Sequence, residues 1–256
     1  MKHYKGYLID LDGTMYRGTD CIEDAPDFIN KLIKKKIPHL FLTNNSSMRQ
    51  EQIAEKLRSM GIPAQPENVF TSSMATATYI KEQKPDASVY AIGEDGLFSA
   101  LEKIGLKLVE EDSDYVVMGI DRGITYEKLA KACLNIRSGA ELISTNGDIA
   151  IPTERGLLPG NGSLTSVVTV STGKQALIAG KPEKIIMDQA MEVLGLSKQE
   201  ILMVGDNYHT DIMAGINAGV DTLMVFTGLT TKEQLSGFDV QPTYQFPTLK
   251  EWMEFI

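Results

Sequence analysis

Short apolar runs alternate along this chain with stretches whose apolar residues recur every three or four positions, the pattern of strands and amphipathic helices in βα units around a parallel sheet. The first run, Tyr7 to Ile9, is short and continuous, as in a strand buried on both faces. A helix follows, with Asp24 as its cap, Pro26 in its first turn and Phe28, Ile29, Leu32 and Ile33 inward. His39-Leu40-Phe41-Leu42 reads as a second strand. A helix from Arg49 to Met60 comes next, with Ile53 and Leu57 inward and Gly61 as its C-terminal cap.

The same rhythm resumes near the far end. After Gly180-Lys181-Pro182 a helix buries Ile185, Ile186, Ala190, Val193 and Leu194 and stops at Gly195. A strand from Ile201 to Val204, a loop from Asp206 to Asp211, a helix and a strand from Thr222 to Phe226 follow. Thr230 with Glu233, and Thr248 with Glu251, have capping-box spacing.

The stretch between Asn45 and Lys181 is too long for a loop in a compact domain. It carries its own signals: strands at Ser88–Ile92, Tyr115–Met118 and Glu141–Ser144, and a helix at Tyr126–Arg137 capped by Thr125. The expected organisation is a discontinuous α/β core from residues 1–77 and 174–256, with an inserted α/β domain at 78–173.

Hydrophobic content of 43% and charged content of 23% are those of an ordinary globular chain. The net charge of −9 argues against a nucleic-acid binder, which needs a basic face for phosphates. It leaves room for a small phosphorylated substrate, because screening confines surface charge to about 8 Å at physiological salt. Cys21 and Cys133 lie far apart and form no CxxC, so neither a zinc site nor a disulfide framework is expected, and a reduced, cytoplasmic setting fits. The first apolar stretch ends at Asp10, too soon for a signal peptide or a membrane span, so no membrane partner is expected.

Asp10-Leu11-Asp12-Gly13-Thr14 closes the first apolar run, and Gly205-Asp206 through Asp211 closes the run from Ile201. Ligand sites of open α/β sheets form outside the carboxyl ends of the strands. Several carboxylates converging there require a cation, and an oxygen-only set with room for waters and a phosphate favours Mg²⁺. Asp10 is placed to attack phosphorus and form an aspartyl-phosphate; Asp12, two positions on, is the candidate acid and base, with a pKa raised from about 3.9. Asp206 completes the Mg²⁺ site with Asp10 and the backbone carbonyl of Asp12. Thr43, Asn44 and Asn45 end the neighbouring strand with donors for phosphoryl oxygens. Lys181 adds a fixed positive charge, worth on the order of 4 kcal/mol per pairing at about 4 Å and an effective dielectric near 20. For Asp211 three roles stand open: N-cap, partner of Lys181, or outer metal ligand through water.

Each residue also has an ordinary explanation. Asp-x-Asp is most often a turn or a capping pair, Thr43-Asn44-Asn45 a loop start, Lys181 a solvated helix-start lysine and Asp211 an N-cap. Gly13 falls too early for an EF-hand loop. The joint order of these features, each at a strand end or a helix start, is what the ordinary explanations do not account for. Gly156, Gly160 and Gly162 lack the context of a dinucleotide fingerprint, and neither Gly173-Lys174 nor Gly180-Lys181 continues into a P-loop. His209 is expected in a solvated loop, and Asn146 and Asp148 either face the pocket or build a turn.

The four segments Asp10-Leu11-Asp12-Gly13-Thr14, Leu42-Thr43-Asn44-Asn45, Gly180-Lys181-Pro182 and Gly205-Asp206 with Asp211 resemble the ordered motifs of the haloacid dehalogenase superfamily. The insertion is similar to the type II cap of its NagD and 4-nitrophenylphosphatase branch, in Ile143-Ser144-Thr145-Asn146-Gly147-Asp148, Pro152-Thr153-Glu154 and Pro159-Gly160-Asn161-Gly162-Ser163. The resemblance implies a Rossmann-like core with an α/β cap and a Mg²⁺-dependent phosphatase. It implies Asp10 as nucleophile, Asp12 as acid and base, phosphate contacts from Thr43, Asn44 and Lys181, and Mg²⁺ held by Asp10, Asp12 and Asp206. Its implied substrates are small metabolites such as sugar phosphates, nucleoside monophosphates, phosphoglycolate or pyridoxal phosphate, chosen by the cap, and it makes a homodimer through the cap plausible. A phosphotransferase or phosphomutase, a phosphorylatable signalling module with Asp10 as acceptor, and a scaffold with a relic site are the competing expectations.

Overall fold

The computed structural model describes residues 2–153 and 155–256, so Glu154 of the Pro152-Thr153-Glu154 stretch lies outside the described residues. The chain forms two compact units. One comprises the residues up to Thr43 with Glu51–Phe70 and Lys181–Ile256; the other comprises Asn44–Gln50 and Thr71–Gly180. The expected boundaries at 77/78 and 173/174 both fall inside the second unit. The first is displaced because Ala77 and Ile80, on the helix Ser72–Gln83, pack with Val89, Leu97 and Leu101 of the insertion.

A six-stranded sheet organises the first unit, in the order Tyr244–Phe246, Asp221–Val225, Ile201–Gly205, Gly6–Ile9, His39–Thr43, Val69–Thr71. Gly6–Ile9 is central and parallel to both neighbours, with Ile9 opposite Val204 on one side and Phe41 on the other. All residues of Gly6–Ile9, His39–Thr43 and Ile201–Gly205 are buried, which is why these strands read as unbroken apolar runs rather than alternating ones. The order of connection reverses about Gly6–Ile9, so the carboxyl ends of these three strands surround a topological switch point.

Helix boundaries moved little: Ala25–Lys34, Gln50–Ser59 and Lys184–Leu194 are helical, and Gly61 and Gly195 take the positive φ that stops the latter two. Ile33 is 49% exposed and Val193 58%, because each lies at the margin of its helix's buried face rather than within it. Asp24 occupies the N-cap position without capping; its carboxylate accepts instead from the Thr248 hydroxyl at 2.6 Å. The strand expected at Thr222–Phe226 runs Asp221–Val225. The capping box expected at Thr230 and Glu233 is formed one residue on, by Thr231 and Gln234. Thr230 is buried and its hydroxyl accepts from the Tyr208 backbone N–H at 2.9 Å, so it is not free to cap. Thr248 and Glu251 form the second box as expected.

The second unit has its own parallel sheet, in the order Leu177–Ile178, Glu141–Ser144, Tyr115–Met118, Ser88–Ile92, Lys107–Leu108. Alternate side chains divide between its faces. Val89, Tyr115, Val117 and Ile143 meet Ala77, Ile80, Leu97 and Leu101 of two helices, while Tyr90, Val116, Met118 and Leu142 meet Ala132, Ile136 and Val168 of two others. The strands Ser88–Ile92, Tyr115–Met118 and Glu141–Ser144 and the helix Tyr126–Arg137, capped by Thr125, stand where the sequence pattern puts them. Among the described residues, no helix is long and apolar enough to cross a membrane.

Candidate active site

Asp10 leaves the end of Gly6–Ile9 with its backbone N–H bonded to the Val204 carbonyl at 2.9 Å, which fixes it to the neighbouring strand. Its Oδ1 accepts from the Lys181 ammonium at 2.5 Å. The same ammonium donates to Asp211 Oδ1 at 2.7 Å and to the Leu42 carbonyl at 3.0 Å. Lys181 is 2% exposed. Burial alone would lower its pKa, but the two carboxylates more than reverse that and hold it charged.

Asp206 follows the strand Ile201–Gly205 and is fully buried. One oxygen accepts from the Thr14 hydroxyl at 3.1 Å and the other from the Leu229 N–H at 2.7 Å. A Cβ on Gly13 or on Gly228 would fall on this carboxylate, and one on Gly205 would fall on the Asp211 side chain. Gly13 is also held at φ +95°, a conformation L side chains rarely adopt. The Thr227 hydroxyl secures the Gly13 carbonyl at 2.7 Å.

Asp211 sits in a π-helical turn, Tyr208–Ile212, of the kind often found at functional sites. The N-cap of that turn is Asn207, not Asp211; Asp211 Oδ2 accepts from the Asn207 N–H at 3.0 Å. Its geometry fills the role of partner to Lys181 and leaves the metal role open. His209, in the same turn, is exposed and packs edge-on against Phe238 at 5.2 Å.

Asp10, Asp206 and Asp211 each offer an oxygen, all within 4.8 Å of one another. Burial first, then Asp211, raises Asp10 well above the ordinary carboxylate range despite Lys181. The same two causes push Asp206 up to about 7. Fully ionised, three carboxylates against one ammonium would leave two negative charges in a dry site, which a divalent cation would balance. The donors are all oxygen, so the set fits a hard cation such as Mg²⁺ and not a thiolate-seeking one.

Asp12 is exposed, unlike the other carboxylates. Partial loss of water raises its pKa, against the pull of the Lys56 ammonium and the Gly18 N–H. Lys56 is half-buried, 3.9 Å over the Tyr16 ring.

Thr43 ends its strand, buried, within the first unit. Asn44 and Asn45 belong by their packing to the second unit. There Asn45 Oδ1 accepts from the N–H groups of Ser47 and Met48, both at 3.0 Å, which closes a turn. Asn44 Nδ2 donates to the Asp148 carboxylate at 3.2 and 3.3 Å. Sequence reasoning did not single out Thr227, Gly228, Leu229 or Lys56, and it named Thr14 and Gly205 only as members of their motif segments. Thr227-Gly228 was within reach: the rule that polar and glycine residues just past a buried strand build the site applies equally to the strand ending at Val225.

Residues 7–107 match a family model for haloacid dehalogenase-like hydrolases, and residues 178–252 match a related HAD-hydrolase-like model. The chain is 62% identical over 256 residues to the 5'-nucleotidase YutF of Bacillus subtilis, covering 100% of both chains. It is 58% identical over 252 residues to an acid sugar phosphatase of Staphylococcus aureus, covering 98% of this chain and 97% of that one. A single mutant of the thermostable NPPase of Geobacillus stearothermophilus superposes with a TM-score of 0.94 at 54% identity over 100% of both chains. Full-length likeness at this level, with four motif segments in order and three carboxylates gathered within 4.8 Å of one another, makes the chain a member of the haloacid dehalogenase-like hydrolase family.

Proposed function

We propose that this protein is a Mg²⁺-dependent phosphatase that hydrolyses small phosphomonoesters through an aspartyl-phosphate on Asp10. The observation that carries the proposal is the buried contact of Asp10 with Lys181, beside Asp206 and Asp211, at the carboxyl ends of adjacent parallel strands. Relatives named as a 5'-nucleotidase, an acid sugar phosphatase and an NPPase support the reaction class and suggest nucleoside monophosphates, sugar phosphates and 4-nitrophenyl phosphate as substrates. A cytoplasmic location and a homodimer through the inserted unit accompany this reading.

Asp10, Asp206 and the backbone carbonyl of Asp12 would hold the Mg²⁺, with Asp211 directly or through water. When bound, the ion supplies positive charge that reduces repulsion between the nucleophile and the phosphate. Lys181 holds the Asp10 carboxylate in one orientation and offsets its charge. An Asp10 oxygen forms a bond to phosphorus as the bond to the leaving oxygen breaks, and the Asp12 carboxyl gives that oxygen its proton. Asp12, now ionised, takes a proton from water; the water oxygen bonds to phosphorus, the Asp10–phosphorus bond breaks, and inorganic phosphate leaves. The raised pKa of Asp12 suits a group that must both give and take a proton. Thr43, Asn44 and Asn45 hold the phosphoryl oxygens through both steps.

The test is phosphate release from a panel of phosphomonoesters by the wild type and Asp10→Asn, with Mg²⁺ and with chelator. Stoichiometric release that needs both Asp10 and the ion is the expected result. Transfer of the phosphoryl group to a second substrate without free phosphate would favour a phosphotransferase or mutase instead.

A further inference from the structure

Asn44–Gln50, which follows Thr43, packs as part of the second unit. The Asn44 carbonyl accepts from Asn146 Nδ2 at 2.8 Å and from the Ser72 hydroxyl at 2.9 Å. Its side-chain amide donates to both oxygens of Asp148. A Cβ on Gly180 would sit 2.6 Å from Asn44 Oδ1, so the carboxamide has an ion on one side and a residue that can bear no side chain on the other. Two residues on, the Ser46 hydroxyl accepts from the Ile120 N–H at 3.1 Å and its carbonyl accepts from the Ser73 hydroxyl at 3.1 Å.

Asp148 is itself held. Its N–H donates to Asn146 Oδ1 at 3.1 Å and its carbonyl accepts from the Gly162 N–H at 2.9 Å. Asn161, 1% exposed, donates to the Asn146 carbonyl at 3.2 Å and to the Ser144 hydroxyl at 2.9 Å. The chain thus runs from the start of the helix Asn161–Thr172, through the Asn146-Gly147-Asp148 turn, to Asn44. The Asn44 amide faces both carboxylate oxygens at 3.2 and 3.3 Å, so the contact fixes the direction of the amide rather than forming one short bond.

We infer that Asp148 is the positioning residue for Asn44, so that the turn Asn146-Gly147-Asp148 in the inserted unit sets the geometry of the phosphate-holding segment after Thr43. The inference rests on the proposed role of Asn44 in holding phosphate. Asp148 acts through Asn44 and not on the substrate. The Asn-Gly-Asp sequence is therefore more than a turn.

The test is a double-mutant cycle of Asp148→Ala, Asn44→Ala and the pair, in the full-length enzyme with Mg²⁺. The readings are kcat/KM for 4-nitrophenyl phosphate and the inhibition constant of inorganic phosphate, with thermal melts to confirm folding. Asp148→Ala should weaken both by roughly tenfold, the scale of one bond to a charged acceptor. The pair should be no worse than Asn44→Ala alone, because residues acting through one another are not additive. Asp148→Asn, which keeps one acceptor oxygen, should recover most of the loss; a merely structural defect would not be rescued in this way. Losses that multiply in the pair, or unchanged constants in Asp148→Ala, would overturn the inference. Unchanged constants in Asn44→Ala, beside an inactive Asp10→Asn, would remove Asn44 and the inference while leaving the phosphatase reading intact.

Discussion

Replacing Lys181 with Met keeps most of the side-chain volume and removes the charge with the hydrogen bonds it donates to Asp10, Asp211 and the Leu42 carbonyl. The ammonium lies 2.5 Å from Asp10 and 2.7 Å from Asp211, with 2% of the residue exposed, so no water replaces it. Breaking a buried pair from one side leaves the partner charge uncompensated and costs about 3–5 kcal/mol. For a chain of this size that corresponds to a fall in melting temperature of roughly 6–20 °C. The catalytic loss follows from the charge that the phosphate would meet: one pairing worth about 4 kcal/mol at an effective dielectric near 20 is roughly a thousandfold in kcat/KM. Lys181 is held charged by its two partners, so its own charge should not vary between about pH 6 and 9; its contribution is complete below the ordinary lysine pKa and would be lost only as pH rises through its higher folded value. The assays are a thermal melt and 4-nitrophenyl phosphate hydrolysis on the same preparations. A variant that melts within two degrees of wild type and keeps a third of its kcat/KM would refute the assignment of Lys181 as the site's internal counterion.

Asp206 gives a pH prediction of the same sense in a lower window. Its folded pKa, pushed up to about 7, lies above that of the unfolded chain, so the folded state binds more protons between about pH 4 and 7 and loses that stability as pH rises through 7. A divalent cation binding the ionised cluster displaces that proton, so the Mg²⁺-induced rise in melting temperature should grow from about pH 5 to 8; a rise that is flat or shrinks with pH counts against a metal at Asp206. Gly228→Ala should displace the Asp206 carboxylate, destabilise the fold by about 1–3 kcal/mol and cut kcat by at least a hundredfold. Near-normal turnover in that variant would show that the carboxylate has no fixed place in the reaction.

The chain's local pattern carried the architecture because the strands that matter are buried on both faces. Gly6–Ile9 and Ile201–Gly205 read as apolar runs, and the carboxylates that interrupt them had to lie at their ends. The places of Asp10 and Asp206 at strand ends were legible for that reason, whereas Lys181, just before the helix Lys184–Leu194, was legible only through the order of the motif segments. What was not legible depends on residues distant in sequence. Thr14 meets Asp206 across 192 positions, and Asn44 meets Asp148 across 104. No periodicity reports such pairs. Capping errors arose in the same way: Thr230 has the right spacing for a capping box, but Tyr208 from another segment engages its hydroxyl. The boundary at 77/78 was misplaced because the pattern shows that Ser72–Gln83 is a helix and not which sheet it packs on.

The central claim is covalent catalysis by Asp10, and acid-quenched Asp12→Asn tests it most directly, because this variant keeps the nucleophile and lacks the group that deprotonates water. After mixing with 4-nitrophenyl phosphate and Mg²⁺, peptide mass analysis should find one added phosphoryl group on the segment containing Asp10, absent from the Asp10→Asn control. A variant that turns over substrate while its Asp10 peptide never carries phosphate, or that carries it on another residue, would contradict the account.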